Sequence, residues 1–164
     1  MAVTVPWRDP MSRLRQLIAY FASPPDQQAG WLPGLPFDRG NPSYYVAFAD
    51  NPLRLLSWGL LEEASFRDDL PIEAFYERTG LPDDTRQTAL AELLWCAGIL
   101  RQVGGPDGDP LFTARGLREQ TGWKVVRRLA RLTLADLGWS AEIDAGMVRD
   151  LLDHYRREQR ESLR

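Results

Sequence analysis

The chain has 164 residues, of which 44% are apolar and 26% are charged, as in an ordinary globular domain with enough chain to bury a core. No stretch approaches the roughly 18 consecutive apolar residues that span a bilayer, and residues 1–9 lack the charged start and long apolar run of a secretory signal. We therefore expect a cytoplasmic protein that contacts no membrane.

Cysteine and histidine usage argues against metal chemistry. Cys96 and His154 are the only residues of their types, so an internal disulfide is impossible and a zinc site is not expected. The phosphate-loop pattern, the nucleophile elbow and the glycine pattern of dinucleotide-binding domains are all missing from the sequence. We expect a non-enzymatic protein that uses no cofactor.

Charge is distributed unevenly along the chain, although the net charge is only −3. Residues 50–100 carry ten acidic residues and four arginines, which leaves −6. Residues 101–133 carry seven basic and three acidic residues, which leaves +4. Nineteen of the twenty basic residues are arginine, a side chain suited to bidentate contact with phosphate or carboxylate. The sequence therefore predicts an electrically polarised molecule.

The first predicted element is a helix over residues 10–22. Its apolar side chains, among them Leu14, Leu17 and Phe21, recur at helical spacing. A Ser-Pro-Pro sequence at residues 23–25 ends the helix, because proline cannot continue it.

Residues 24–52 are rich in Pro, Gly and Asn but also in aromatic residues, which disordered linkers avoid. They are predicted to form an irregular segment packed on the core, or a short strand at residues 44–48. A binding surface is the alternative. The candidate partner contacts in this segment are Trp31, Tyr44 and Tyr45.

Three helices are predicted next, at about residues 52–66, 71–79 and 84–98. Pro52 is placed to start the first of them, and Asp83 or Asp84 can cap the third. Leu90, Leu93 and Leu94 supply an apolar face for the third helix, and Gly98 is its predicted end.

A β-hairpin is predicted to follow the third helix. The apolar runs at residues 99–103 and 111–113 supply two strands, and the Gly, Pro and Asp cluster at residues 104–110 supplies the loop between them.

In their order, the segments "PIEAFYERTGLPDDT" and "LAELLWCAGILRQV", a polar hairpin and "LFTARGLRE" resemble the winged helix-turn-helix family. The resemblance covers residues 51–119. It implies a mainly α fold with a small β-hairpin wing. Residues 1–50 are then an N-terminal extension, and residues 120–164 form C-terminal helices that pack on the domain or build a dimer.

The resemblance implies that the second helix of the turn enters the DNA major groove while the wing lies along the backbone. The candidate DNA contacts on that helix are Thr85, Arg86 and Thr88. Only Arg86 among them is suited to a bidentate base contact. Asp83, Asp84 and Glu92 would face phosphate unfavourably, which departs from the pattern of an operator-reading helix.

A cationic helix is predicted beyond the wing. Lys124, Arg127, Arg128 and Arg131 follow the i, i+3, i+4, i+7 rule. On the opposite face the expected apolar residues are Val125, Val126, Leu129 and Leu132. Candidate counterparts are nucleic-acid phosphate, the acidic helices of this chain or of a dimer mate, and an acidic partner protein; a merely solvated face is the remaining alternative. Arg101 and Arg115 would extend the basic surface around the wing.

The last predicted helix starts near Ser140 and presents one apolar stripe. That stripe includes Met147, Leu151 and Tyr155. It needs a partner surface, which is either the core of the same chain or a second copy, because terminal helices in the winged-helix family often build homodimers.

Two functions follow from these patterns. The first is a regulatory DNA-binding protein that contacts the backbone through the wing and the cationic helix. The second is a protein–protein interaction module within a larger assembly that does not bind DNA.

Overall fold

A computed structural model of the protein describes residues 10–33, 35, 51–63, 83–103 and 110–162. Throughout these ranges the regular secondary structure is helical, and none of the described residues forms a strand. The α-helices are α1 (Pro10–Ala22), α2 (Pro25–Gly30), α3 (Pro52–Glu63), α4 (Asp83–Val103), α5 (Ala114–Glu119), α6 (Thr121–Leu137) and α7 (Ala145–Ser162). A 3₁₀ helix at Pro110–Phe112 lies between α4 and α5.

The predicted β-hairpin wing is wrong, because the residues assigned to its first strand continue α4. That helix passes Gly98 and ends at Val103. Leu100 is buried and extends the helical stripe of Leu93 and Ala97, so the 3.6-residue period outlasts the glycine. A short apolar run after a glycine is compatible with a strand or a helix, and here the helix prevails.

The residues assigned to the second strand form the 3₁₀ helix and the turn after it. The carbonyl of Leu111 accepts a hydrogen bond from the Trp123 indole at 2.6 Å, and the carbonyl of Phe112 accepts one from the Asn51 side chain at 2.9 Å. Side chains of α6 and of the α3 cap therefore satisfy the groups that a partner strand would have used. The loop at residues 104–109 lies outside the described residues.

Two helix starts are explained by side-chain caps. The Asn51 side-chain oxygen accepts hydrogen bonds from the backbone amides of Leu53 and Arg54, and Pro52 occupies the first helical position of α3 as predicted. The Thr113 hydroxyl accepts a hydrogen bond from the Gly116 amide at the start of α5. Each cap residue is itself buried and satisfies amides of the first turn of its helix.

The segment after α1 is more regular than predicted, since residues 25–30 form α2 with Pro25 in its first turn. The α1 helix itself spans residues 10–22 as predicted. The predicted strand at residues 44–48 and the predicted helix at residues 71–79 lie outside the described residues.

The final helix starts at Ala145, and the prediction of a start near Ser140 is wrong. Asp144 is the cap: its side chain accepts hydrogen bonds from the amides of Gly146 at 2.9 Å and Met147 at 3.3 Å. The Ser140 hydroxyl instead accepts the amide of Glu142 and forms a local turn.

The α6 helix organises the core. It packs most extensively against α4 and α1, while α3 packs against α1, α4 and α7. Trp123 of α6 is buried, with its ring stacked on Phe21 at 6.0 Å and edge-on to Phe112 at 5.8 Å. One hydrophobic cluster therefore joins α1 to the later helices, so the N-terminal helix is part of the same core. Within the described ranges, no helix is both long and apolar enough to cross a bilayer.

A buried charged group lies where α1, α3 and α7 meet. Arg13 of α1 donates a hydrogen bond to the carboxylate of Glu63, whose side chain is 4% exposed. Burial raises the pKa of the Glu63 carboxyl, and Arg13 opposes this shift only in part. The Tyr155 hydroxyl is buried in the same region and has no hydrogen-bond partner among the described residues, and burial also raises its pKa.

We expect Gly59→Ala and Gly98→Ala to change stability in opposite directions. A Cβ at Gly59 would lie 2.3 Å from the ring of Tyr155, so α3 and α7 would have to separate, at a cost of about 1–3 kcal/mol. A Cβ at Gly98 meets nothing within 4 Å, so the alanine stabilises α4 by about 0.5–1 kcal/mol. Urea unfolding of both variants measures the difference; a destabilised Gly98→Ala would contradict a continuous α4.

Glu63 gives a pH dependence of known sign. Since its folded-state pKa is raised, Glu63 favours the folded state at low pH, and this contribution is lost as the pH rises through the folded-state value. We expect the free energy of unfolding of the wild type, minus that of Glu63→Gln, to decrease as the pH rises above about 4. A difference that grew with pH would show that Arg13 outweighs burial.

Candidate functional site

Arg127 does not belong to an exposed basic stripe. Its side chain is buried, and the guanidinium donates hydrogen bonds to the carbonyl of Ser23 at 3.1 Å, the side-chain oxygen of Gln28 at 3.1 Å and the carbonyl of Leu117 at 2.8 Å. These acceptors come from the end of α1, from α2 and from α5. Arg127 was predicted as a candidate phosphate contact, but the structure places its donors in the core, where they hold four helices together.

The carbonyl groups at the end of α1 explain why a cation is tolerated there. Gln28 donates to the carbonyls of Tyr20 and Phe21, and Arg131 donates to the carbonyl of Ala22 at 3.0 Å. A helix C-terminus carries partial negative charge, which Arg127 compensates, and no carboxylate of the described residues pairs with it. Desolvation and the neighbouring Arg131 lower the pKa of Arg127.

The other predicted basic residues have different surroundings. Lys124 and Arg128 are exposed on α6, and Arg131 is exposed apart from its contact with Ala22. Arg115 pairs with Glu119 at 2.9 Å on the surface of α5, which directs it along its own helix. The exposed cations of α6 therefore form a row along one side of that helix.

The predicted recognition residues cannot be placed at the side-chain level. The backbone of α4 includes Thr85, Arg86, Thr88 and Arg101, but their side chains lie outside the described part of the structure. The winged-helix resemblance implied that a recognition helix and a β-hairpin wing contact DNA together. Because α4 continues through the residues assigned to the first strand of the wing, that pair of elements is not formed.

The apolar stripe of α7 is buried in the core. Met147, Leu151 and Tyr155 are 5%, 1% and 0% exposed, and α7 packs against α3 and α1. Of the two alternatives predicted for this stripe, the core of the same chain or a second copy, the structure shows packing in the core. Trp31 is half-buried and packs on the same core, whereas Tyr44 and Tyr45 lie outside the described residues.

Large exposed apolar side chains occur on only two helices of the described chain. On α4 they are Trp95, 71% exposed, and Ile99, 40% exposed; on α6 they are Val125, 42% exposed, and Leu132, 46% exposed. We call the surface that these four residues form the outer face. Val125 and Leu132 therefore do not share one apolar face with Val126 and Leu129, as was predicted, because the latter two are buried.

Helix geometry places the four residues on adjoining surfaces. Leu100, near the end of α4, packs over Gly122 at the start of α6, and the two helices pack along their length, so they run antiparallel. With 100° per residue, Ile99 and Val125 then lie on the solvent side of the contact line between the helices. The solvent side of the α4–α6 junction is therefore bordered by Ile99, Val125 and Leu132, and Trp95 lies on the adjoining outer side of α4.

The sequence contained a signal for this surface. Val125, Arg128 and Leu132 are separated by three and four residues, so they lie on one line along α6. Arg127 lies on a different line, with Trp123, Ala130 and Leu134, which are buried. The four basic residues predicted as one cationic face therefore lie on more than one side of α6.

No group of three potential metal ligands occurs among the described residues. Burial raises the pKa of the Cys96 thiol, and the neighbouring Glu92 adds to the shift, so the thiol is a poor nucleophile. The chemistry that the outer face offers is contact between apolar and charged surfaces.

We expect Arg127→Met to destabilise the fold by about 3 kcal/mol, because the acceptors at Ser23, Gln28 and Leu117 lose their donors in a buried site. Arg128→Met is the matched control on the same helix and should change stability by less than about 0.5 kcal/mol. Urea denaturation compares the two. Equal effects would show that Arg127 is not the structural arginine.

Comparisons with family models, with curated proteins and with solved structures find no match to this chain. What the chain binds is therefore inferred from its own surface.

Proposed function

We propose that this chain is a non-enzymatic interaction module that binds a partner protein through the outer face. The observation that carries the proposal is the exposure of Trp95 together with Ile99, Val125 and Leu132 on two adjoining helices. Contiguous exposed apolar residues rimmed by polar ones are typical of protein interaction sites. An exposed tryptophan is also the residue type that most often dominates binding energy at such sites.

Charge defines the partner. Lys124, Arg128 and Arg131 lie along α6 beside the apolar residues of the outer face. Among the described side chains of these two helices, the exposed acids are Glu92 and Asp136. A partner surface that combines apolar and acidic side chains is complementary to this arrangement. Such pairing of opposite charges accelerates association and disfavours basic partners.

The described surface favours a protein over DNA. Val125 and Leu132 flank Arg128, so a DNA backbone held by Arg128 would cover apolar side chains without compensating contacts. Arg127 was one of the candidate DNA contacts, but its guanidinium donates hydrogen bonds to carbonyls in the core. The strands predicted for a wing are helical.

A cytoplasmic location belongs to the same proposal. The chain has one cysteine, Cys96, and hence no internal disulfide, which suits a reducing compartment.

We expect a random-peptide library, selected on the full chain, to yield ligands rich in acidic and apolar residues. Trp95→Ala and Leu132→Ser should each weaken binding of these ligands by at least about tenfold, because both remove apolar contact area. Fluorescence anisotropy with labelled ligands measures the affinities. Both residues are exposed, so circular dichroism should show unchanged folding.

Charge-reversal variants and a DNA-binding measurement distinguish this proposal from DNA binding. Arg128→Glu should weaken binding, while Arg149→Glu, an exposed arginine on α7, should leave it unchanged. Random-sequence duplex DNA is tested with the same proteins. The proposal fails if no ligand depends on the outer face, or if DNA binds tightly and only substitutions of Lys124, Arg128 and Arg131 abolish binding.

A further inference from the structure

We infer that the partner segment is a single amphipathic α-helix with one acidic edge, seated along the α4–α6 junction. This inference rests on the proposed function, since it names the kind of segment that occupies the outer face. It draws on three features of that face: the spacing of its apolar residues, the backbone of the helices below it, and the one-sided placement of its cations.

The apolar residues of the outer face are spaced by helical turns. Val125 and Leu132 are seven residues apart on α6, which places them about 10.5 Å apart along the axis. Trp95 and Ile99 are four residues apart on α4, about 6 Å along a nearly antiparallel axis. An α-helix that lies along the junction presents apolar side chains at matching intervals, with i, i+3 or i+4, and i+7 spacing.

The backbone beneath the face disfavours an extended segment. The amides and carbonyls of the α4 and α6 interiors are engaged within their own helices, so these surfaces offer no backbone edge for pairing. An extended peptide buried on them would leave its own backbone groups without partners, at a cost for each group. A helix satisfies its backbone internally and avoids that cost.

The cations of α6 determine which edge of the partner helix carries its acidic residues. Lys124, Arg128 and Arg131 have i, i+4, i+7 spacing, and Arg131 contacts Ala22 at the end of α1. Their row therefore lies on the side of α6 that faces α1, away from α4. The α4 side of the face carries Glu92 instead, which repels an acidic residue placed there.

Peptides about 18 residues long test this inference. The first has leucines at helical spacing and glutamates along one edge. The second has the same composition in an order without helical period, and the third is the first peptide with a central proline. We expect the first to bind the full chain at least about tenfold more tightly than the other two, because only it forms the required helix.

Cys96 provides an internal reporter of where the peptide lies. As the only cysteine of the chain, it lies between Glu92 and Ile99 on α4, toward the junction with α6, and is partly exposed. We expect the first peptide, at saturation, to slow thiol modification of Cys96 at least about tenfold, and the scrambled peptide to leave the rate unchanged. Trp95→Ala should remove the protection, and Arg149→Glu should retain it.

A charge exchange tests the edge. Arg128→Glu should weaken the first peptide, and replacing the facing glutamates of the peptide by lysine should restore binding to this variant.

The outcomes separate the two proposals. If library ligands depend on the outer face but bind equally well when scrambled or interrupted by proline, the helix inference is overturned and the proposed function stands. If neither library ligands nor designed peptides depend on Trp95 and Leu132, both fail. A wild-type dimer in sedimentation that Trp95→Ala dissociates would assign the face to a second copy and overturn the helix inference.

Discussion

The guanidinium of Arg127 is the interaction on which the arrangement of the helices depends. It joins the last carbonyls of α1 to Gln28 of α2 and to Leu117 of α5, and Arg131 adds a second donor one turn later. A buried cation without a carboxylate is costly unless its donors are satisfied, and here backbone carbonyls and the α1 dipole satisfy them. Because Arg127 must point into this site, the rotation of α6 about its axis is set.

That rotation determines which residues remain on the surface. Once Trp123, Arg127 and Leu134 face inward, Val125, Arg128 and Leu132 face outward. The antiparallel packing of α4 on α6 then places Ile99 next to Val125, with Trp95 on the adjoining outer side of α4. The apolar stripe of α7, in contrast, is buried against α3 and α1. The core therefore covers the whole apolar stripe of α7 but leaves some apolar residues of α4 and α6 exposed.

Sequence reasoning predicted elements whose signals are local. The bounds of α1 follow from its apolar period and the prolines after it, and the start of α3 follows from Pro52. It failed where tertiary contacts decide. Helical spacing separates Arg127 from Arg128, but it does not reveal that Ser23, Gln28 and Leu117 accept hydrogen bonds from Arg127. The carbonyls of Leu111 and Phe112 are likewise claimed by Trp123 and Asn51, which no strand pattern reveals.

Hydrogen–deuterium exchange of the full chain, with and without a ligand selected from the peptide library, tests the central claim most directly. Ligand contact at the outer face predicts slower exchange at the helical segments around Trp95 and Arg128, with unchanged exchange in α7. Because those segments are helical in the unbound chain, their exchange should already be slow and should become slower still. Protection confined to α7, or none in α4 and α6, would contradict the claim that this face binds the partner.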